Sequence, residues 1–375
     1  MGAKLTQRPH VLTSLAREGS KRVFHNPGFT APLAADEPDK PPHPNFTAVR
    51  IHQGLPHFQP DRNRIVTTGT FDGVHLGHRA LLDWMTEEAR RQDAETVVLT
   101  FDPHPRQVLF GENSGLQLLQ SLGQRAECLA QTGLDHLVVQ HFDRTFSRLK
   151  PSEFVREVLV DGLGTTTIVV GHDHRFGAGR EGDVELLRAC GETYGFDVMH
   201  IPAHIEGELT VSSTKVRQQV DEGDLDGARD LLGRHHAWRG KVVEGDGRGR
   251  TLGFRTANLS ACEPSQLLPP EGVYAARARM VQGSLSDDVA PETPEATQWE
   301  AMVHIGPRPT FEANTGQRHV EAHLFTEGSP DLYGREVELS FVSHLRDIRK
   351  FEDRDALILQ LEQDEMAARR VLGND

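Results

Sequence analysis

Cysteine is scarce in this sequence: Cys128, Cys190 and Cys262 are the only three, and no two stand in a Cys-x-x-Cys spacing. That excludes a disulfide scaffold and a zinc ribbon, and leaves reduced thiols as the expectation. Long apolar runs are missing as well. None approaches the roughly 18 residues a membrane span requires, and the polar first residues lack the apolar core of a signal peptide, so a cytoplasmic protein without membrane association is expected. The pattern GxxxxGK[ST] occurs nowhere, which excludes a P-loop. Positive charge is short too: 41 lysines and arginines face 55 aspartates and glutamates, for a net charge of −14. A nucleic-acid backbone calls for a broad basic surface, so nucleic acid is not an expected partner. A small phosphorylated ligand needs only local cations.

What is present falls into three parts. At 375 residues the chain exceeds what one hydrophobic core usually serves, so two domains are expected. Residues 1–46 show no sustained periodicity and end in the proline-rich, charged DEPDKPPHPN, which reads as a flexible extension. From 47 to 233, apolar strand candidates at 64–68, 96–101, 136–140 and 166–170 alternate with helical segments at 77–91, near 123–132 and at 151–159. This is the rhythm of an α/β domain with a parallel sheet, closed by two short helices at 212–222 and 224–232. From 234 to 375 short strands are separated by glycine and proline turns and end in an amphipathic helix at 353–372. That pattern predicts a small antiparallel barrel plus one helix. The stretch 282–298, rich in Asp, Glu, Pro, Ser and Thr, reads as a solvated loop, and no internal repeat is present.

The most informative stretch is 67–82, TTGTFDGVHLGHRALL. An apolar strand runs into a glycine-bearing turn and then a helix, which places His75 and His78 at a helix start. Unpaired backbone N–H groups and the positive end of the helix dipole meet there, a setting that suits a nucleotide phosphate. Gly69 and Gly77 leave room for close approach. A His-x-x-His pair is also half of some metal sites, and the residues alone leave that open.

His75-Leu-Gly-His78 is similar to the HxGH signature of nucleotidylyltransferases, and GTFDGVHLGH resembles the FAD synthetase half of bacterial bifunctional riboflavin kinase/FAD synthetases. TFDPHP (100–105), VVGHDHRFGAGREGD (169–183) and VSSTKVR (211–217) follow in the family's order. From 245, GDGRGRTLGFRTANL, GVYAARARM, IGPRPTF, VEAHLF and DLYGREVELSFVSHLRDIRKFED resemble the riboflavin kinase half. The resemblance covers roughly 47–370. It implies an N-terminal Rossmann-like nucleotidylyltransferase domain with a parallel sheet and a C-terminal antiparallel β-barrel kinase domain with a terminal helix. It also implies the activity: ATP phosphorylates riboflavin to FMN, then adenylylates FMN to FAD with release of pyrophosphate. Riboflavin, FMN and ATP are the implied partners, Mg²⁺ the implied cofactor, and self-association, if any, is expected to be weak.

Adenylylation needs no general base, because a phosphate monoester with a second pKa near ~6 is already charged at neutral pH. Alignment and charge neutralisation are the site's tasks. The resemblance assigns them to His75 and His78, with Gly69, Phe71, Asp72, Gly77, Ser212, Ser213, Thr214 and Arg217 around ATP. It sets Asp102 and Asp173 beside the flavin, although a helix N-cap is the plain alternative for both aspartates and for the SSTK segment.

Phosphorylating riboflavin needs a proton acceptor near a neutral hydroxyl. Glu321 matches the family's base. Strand alternation puts it on one face with His319 and His323. A glycine-rich loop with Gly247, Gly249 and Gly253 is able to wrap phosphates. Thr256 and Asn258 offer hard oxygens for Mg²⁺, Thr256 also lying against ATP, and Arg346 matches a segment that covers the flavin. Arg255 replaces the family's proline, and so an adenylyltransferase whose kinase half binds flavin with little or no activity is the competing expectation.

Overall fold

The computed structural model describes residues 49–59, 61–171, 174–201, 211–245, 253–281, 297–307, 318–326, 328 and 330–373, all within one compact unit, Pro44–Asp375. The extension 1–46 and all but the end of the loop 282–298 lie outside the described residues. No helix among the described residues is long and apolar enough to cross a membrane.

Six strands form a parallel sheet: β1 (Arg50–Gln53), β2 (Asn63–Thr68), β3 (Ala94–Asp102), β4 (His136–His141), β5 (Thr167–Val170) and β6 (Asp197–His200), in the order β1-β4-β3-β2-β5-β6. The inner strands are apolar on both faces, as a parallel sheet covered on both sides requires. Ile65, Val98, Leu137 and Val169 pack under Leu82 and Met85 of α1 (Leu76–Gln92); their strand neighbours Val66, Val97, Val138 and Ile168 pack with Val155 and Leu187 on the other side. Period-two alternation thus sends successive residues into two separate cores. The short helix α2 (Pro105–Phe110) follows β3, and α3 (Leu122–Ala130) joins α1 on its face. The opposite face carries α4, which starts as Pro151–Glu153 and continues π-wound through Phe154–Gly162, and α5 (Val184–Tyr194).

The sequence did not announce β1 or β6. β1 is RIHQ, in which Ile51 alone is fully buried, and its register opposite Leu137 comes from β4 rather than from local pattern. The helix expected at 151–159 is present, but Leu163 N–H reaches back to Val158 O and the winding is wide, as in π-helical segments.

From β2 the chain builds outward through β3 and β4, then restarts on the other side of β2 with β5 and β6. The reversal falls between β2 and β5, and in open sheets of this kind ligands bind beyond the strand carboxyl ends at that point. The turn 69–75 leaves β2 there.

After α6 (Ser213–Glu222) and α7 (Leu225–Leu232) the chain forms a closed antiparallel barrel. Its strands are β7 (Ala237–Val243), β8 (Ala257–Ala261), β9 (Gly272–Met280), β10 (Gln298–Pro307), β11 (Arg318–Leu324) and β12 (Glu336–Arg346). Trp238, Tyr274 and Phe341 fill it. The terminal helix α8 (Arg354–Leu372), N-capped by Asp353, lies on its outside with Ala368 and Leu372 against Ala275 and Val342.

Sheet and barrel are joined by polar contacts that are largely buried. Leu118 and Gln266 form a parallel bridge, with Leu118 N–H on Ser265 O at 2.7 Å and Leu267 N–H on Leu118 O at 2.8 Å. Glu127 of α3 receives Arg239 of β7 and, at 3.0 Å, Arg279 of β9; both arginines also hold Glu338 of β12, each at 2.7 Å. Burial alone would raise the Glu338 carboxyl, but the two guanidinium groups outweigh it and hold it below the ordinary range.

Candidate active sites

The turn after β2 takes an uncommon path: φ is 48° at Phe71, 89° at Gly73 and 35° at Val74. Gly69 is needed for closeness, since a Cβ there would lie 3.1 Å from the Phe71 ring. Gly77 is buried in the first turn of α1. His75 is itself the N-cap of α1: its Nδ1 accepts the His78 N–H at 3.3 Å. With Nδ1 accepting, the neutral ring carries its proton on Nε2. The His75 and His78 rings stack with centroids 3.7 Å apart at 15°, and Phe71 lies 4.9 Å from His78.

Burial lowers the His75 pKa to about 4, with Arg234 and Arg217 adding to the effect and Asp72 opposing it. His78 is lowered well below its ordinary value by burial, then by His75 and Arg234. Both are neutral near pH 7. His78 Nδ1 is buried without a hydrogen-bonding partner, the kind of orphan a ligand satisfies.

Tertiary folding brings VSSTKVR to this turn. Ser212 caps α6 through Lys215 N–H at 3.3 Å, Ser213 Oγ donates to Asp72 O at 2.7 Å, and Thr214 is exposed. Arg217 pairs with Asp72 and donates to Gln117 O at 2.6 Å. The Asp72 carboxylate is buried and also accepts the Leu119 and Gln120 N–H groups at 3.0 and 3.1 Å, so its lone pairs are taken within the protein. Asp102 ends β3, 3.6 Å from Arg125, with its carboxyl pushed up by burial and drawn back by that arginine. Asp173 lies outside the described residues.

The second site lies on the outer face of β11. Val320 and Ala322 point into the barrel core, while His319, Glu321 and His323 stay partly exposed on the other side. Glu321 Oε1 and His319 Nε2 are 2.7 Å apart. That hydrogen bond holds the Glu321 carboxyl below its ordinary pKa against the effect of burial, helped by His304 and by a hydrogen bond with Thr256. Asn258 on β8 stands opposite Glu321 in register, as His304 does on β10. Gly245 is required there, because a Cβ would overlap the Asn258 amide. Gly253 has φ 87°. The Arg255 carbonyl lies 2.7 Å from His323 Nδ1. Arg346, at the end of β12, holds the buried Asp364 of α8 through Nε at 3.0 Å and Nη2 at 2.7 Å. Gly247 and Gly249 lie outside the described residues.

Among the described residues no group of three or more His, Cys, Asp or Glu is placed to hold a metal alone. The Thr256 hydroxyl and Asn258 amide beside Glu321 are a sparse set of hard oxygens. That fits Mg²⁺, which takes most of its ligands from phosphates and water.

Sequence reasoning missed four residues. Arg125 donates to Thr70 O at 2.7 Å and His104 caps α2, both next to the first site. His304 faces Glu321, and Arg234 reaches the turn from the connection before the barrel. His104 was visible within FDPHP; the others give no local signal because their partners are distant in sequence.

A helix start with two neutral histidines at a sheet's switch point, joined to a barrel bearing a buttressed carboxylate, defines a nucleotide-handling α/β protein with an appended β-barrel. The family description FAD synthetase matches residues 57–215, and riboflavin kinase matches 232–372. The bifunctional riboflavin kinase/FMN adenylyltransferase of Escherichia coli (strain K12) is 37% identical, covering 84% of this chain and 94% of its own. That of Listeria monocytogenes is 35% identical over 82% and 92%. The crystal structure of a macrolide-efflux protein from Streptococcus pneumoniae aligns with TM-score 0.69 and 26% identity, covering 86% of this chain and 99% of its own. The chain belongs to the bifunctional riboflavin kinase/FMN adenylyltransferase family.

Proposed function

We propose that the protein phosphorylates riboflavin to FMN and then adenylylates FMN to FAD, using ATP in each step, with the first activity in residues 234–375 and the second in 47–233. The observation that carries this reading is the match of both halves to the two family descriptions, each half built around its own polar site. Because both steps consume ATP, the proposed setting is the cytoplasm.

In the adenylylating half, the FMN phosphate attacks the α-phosphorus and pyrophosphate leaves. The nucleophile arrives ionised, so the chain supplies donors and cations: His75 through Nε2–H, His78, the N-termini of α1 and α6, and Arg217. In the kinase half, Glu321 takes the proton of the ribityl hydroxyl as it attacks the γ-phosphorus. His319 buttresses that carboxylate, which holds its charge well into the acid range. Thr256 and Asn258 would hold Mg²⁺, whose role when bound is to neutralise the phosphates. Arg346 keeps the segment after β12 tied to α8 through Asp364.

Incubation with ATP and Mg²⁺, first with riboflavin and then with FMN, tests the reading by chromatography of the products. FMN and FAD should both form from riboflavin. FAD from FMN with no FMN from riboflavin would establish the competing reading, in which the kinase half only binds flavin.

A further inference from the structure

The turn that presents His75 and His78 is held from an unexpected place. Arg234 lies in the connection 233–236 between α7 and β7. Its Nη1 donates to Val74 O at 3.1 Å and its Nη2 to Gly73 O at 2.5 Å, while Nη1 also reaches Leu232 O at 3.2 Å. The two carbonyls belong to successive residues with positive φ, 89° and 35°. Such backbone persists only where its surroundings over-determine it, and a planar guanidinium with two prongs fixes both peptide planes at once. The connection is keyed to the start of α1 a second time: Gly233, at φ 70°, packs so closely that a Cβ would lie 2.6 Å from Leu76 Cδ2. Arg234 falls outside the FAD synthetase match at 57–215 and inside the riboflavin kinase match at 232–372.

We propose that Arg234, carried by the kinase-matched part of the chain, is a positioning residue for adenylyl transfer at the His75/His78 turn. The proposal rests on the reading of that turn as the adenylylating site. Geometry is one half of the argument: by holding the Gly73 and Val74 carbonyls, Arg234 sets the direction in which the chain enters α1 and where the two rings point. Charge is the other. Burial, Arg234 and Arg217 lower His75 against Asp72, while burial, His75 and Arg234 lower His78. Burial is the larger cause, and a cation beside both rings adds to it, so that His75 Nδ1 remains the acceptor that caps α1 and Nε2–H remains a donor.

Arg234→Met and Arg234→Lys in the full chain, assayed from about pH 3.5 to 9, test this, with FMN formation from riboflavin as the control for folding. In Arg234→Met, kcat for FMN to FAD should fall by about 10²-fold, the cost of misplacing a reacting group by about an ångström. The lower acid limb of its pH profile, below that of the FMN phosphate near ~6, should move to higher pH, because histidines that lose a neighbouring cation protonate more readily. Arg234→Lys keeps the charge but cannot span two carbonyls. It should leave that lower limb in place and restore only part of the rate. Both variants should make FMN at the wild-type rate. Wild-type rate and profile in Arg234→Met would overturn the proposal, as would parallel loss of both activities in both variants, which would mean a purely structural role. A wild-type protein that makes no FAD would instead overturn the reading of the site itself.

Discussion

Ser213 donates its hydroxyl to the backbone carbonyl of Asp72 at 2.7 Å, joining residues 141 positions apart in the chain. The bond ties the N-terminus of α6 to the turn that feeds α1. Two helix starts are held side by side, and Arg217 one turn along α6 lies on the same Asp72.

His75 caps α1, and one substitution separates that observed role from its proposed role as a donor in adenylyl transfer. Asparagine is as good an N-cap as any residue, so His75→Asn should keep α1 and the melting temperature, where alanine would cost about 0.5–2 kcal/mol of stability. The ring donor is lost, and the rate of FMN to FAD should fall by about 10²–10³-fold, as when an oxyanion donor is removed. FMN formation should be unaffected. A His75→Asn protein that makes FAD at the wild-type rate would remove His75 from the chemistry.

Glu321→Gln keeps size but removes the proton acceptor, so kcat for phosphorylating riboflavin should drop about 10²–10⁴-fold with little change in riboflavin binding. FMN supplied directly should still become FAD at the normal rate. The low Glu321 pKa also predicts that wild-type FMN formation has no acid limb due to this group near neutrality. A kinase rate unchanged by the substitution would mean that another group accepts the proton.

Glu338 is shared by Arg239 and Arg279 between sheet and barrel. Among the described residues Glu338→Leu leaves the two guanidinium groups with Glu127 as their carboxylate, and it should destabilise the protein by about 3–5 kcal/mol, the usual cost of breaking a buried pair on one side. Urea denaturation checks this. A midpoint within error of wild type would show that water or a local shift compensates the arginines.

His75, His104, His136 and His236 are each held at a pKa of about 4, in every case chiefly by burial. In the unfolded chain they titrate near ~6.5, so below that pH the unfolded state binds protons that the native state refuses. Stability from these groups is therefore complete above pH 6.5 and is lost as pH falls toward 4. One such histidine is worth on the order of 2 kcal/mol by pH 5. Denaturant midpoints measured at pH 7.5, 6.5, 5.5 and 4.5 should fall progressively across the last three. Constant midpoints across that series would mean that these rings are not buried neutral.

The strand, turn and helix around His75 could be read locally because each step has a short-range cause: the apolar run of β2, the glycines of the turn, the 3.6-residue period of α1. The barrel strands were legible for the same reason, through alternation such as Val320 and Ala322 in, Glu321 out. β1 was not. Its single buried Ile51 carries no pattern, and its strand character comes from pairing with β4, whose residues lie more than 80 positions away.

By itself the sequence determined the two architectures and the family, because periodicity, turn residues and ordered motifs are properties of neighbours along the chain. Only the tertiary structure decided that Asp72 spends its carboxylate on Arg217 and two backbone N–H groups, that Arg346 is engaged with Asp364, and that Arg234 clamps the turn before α1. Those are choices among partners far apart in sequence. They are made by burial, where an ion or donor left alone is costly and takes whatever group the packing brings within reach.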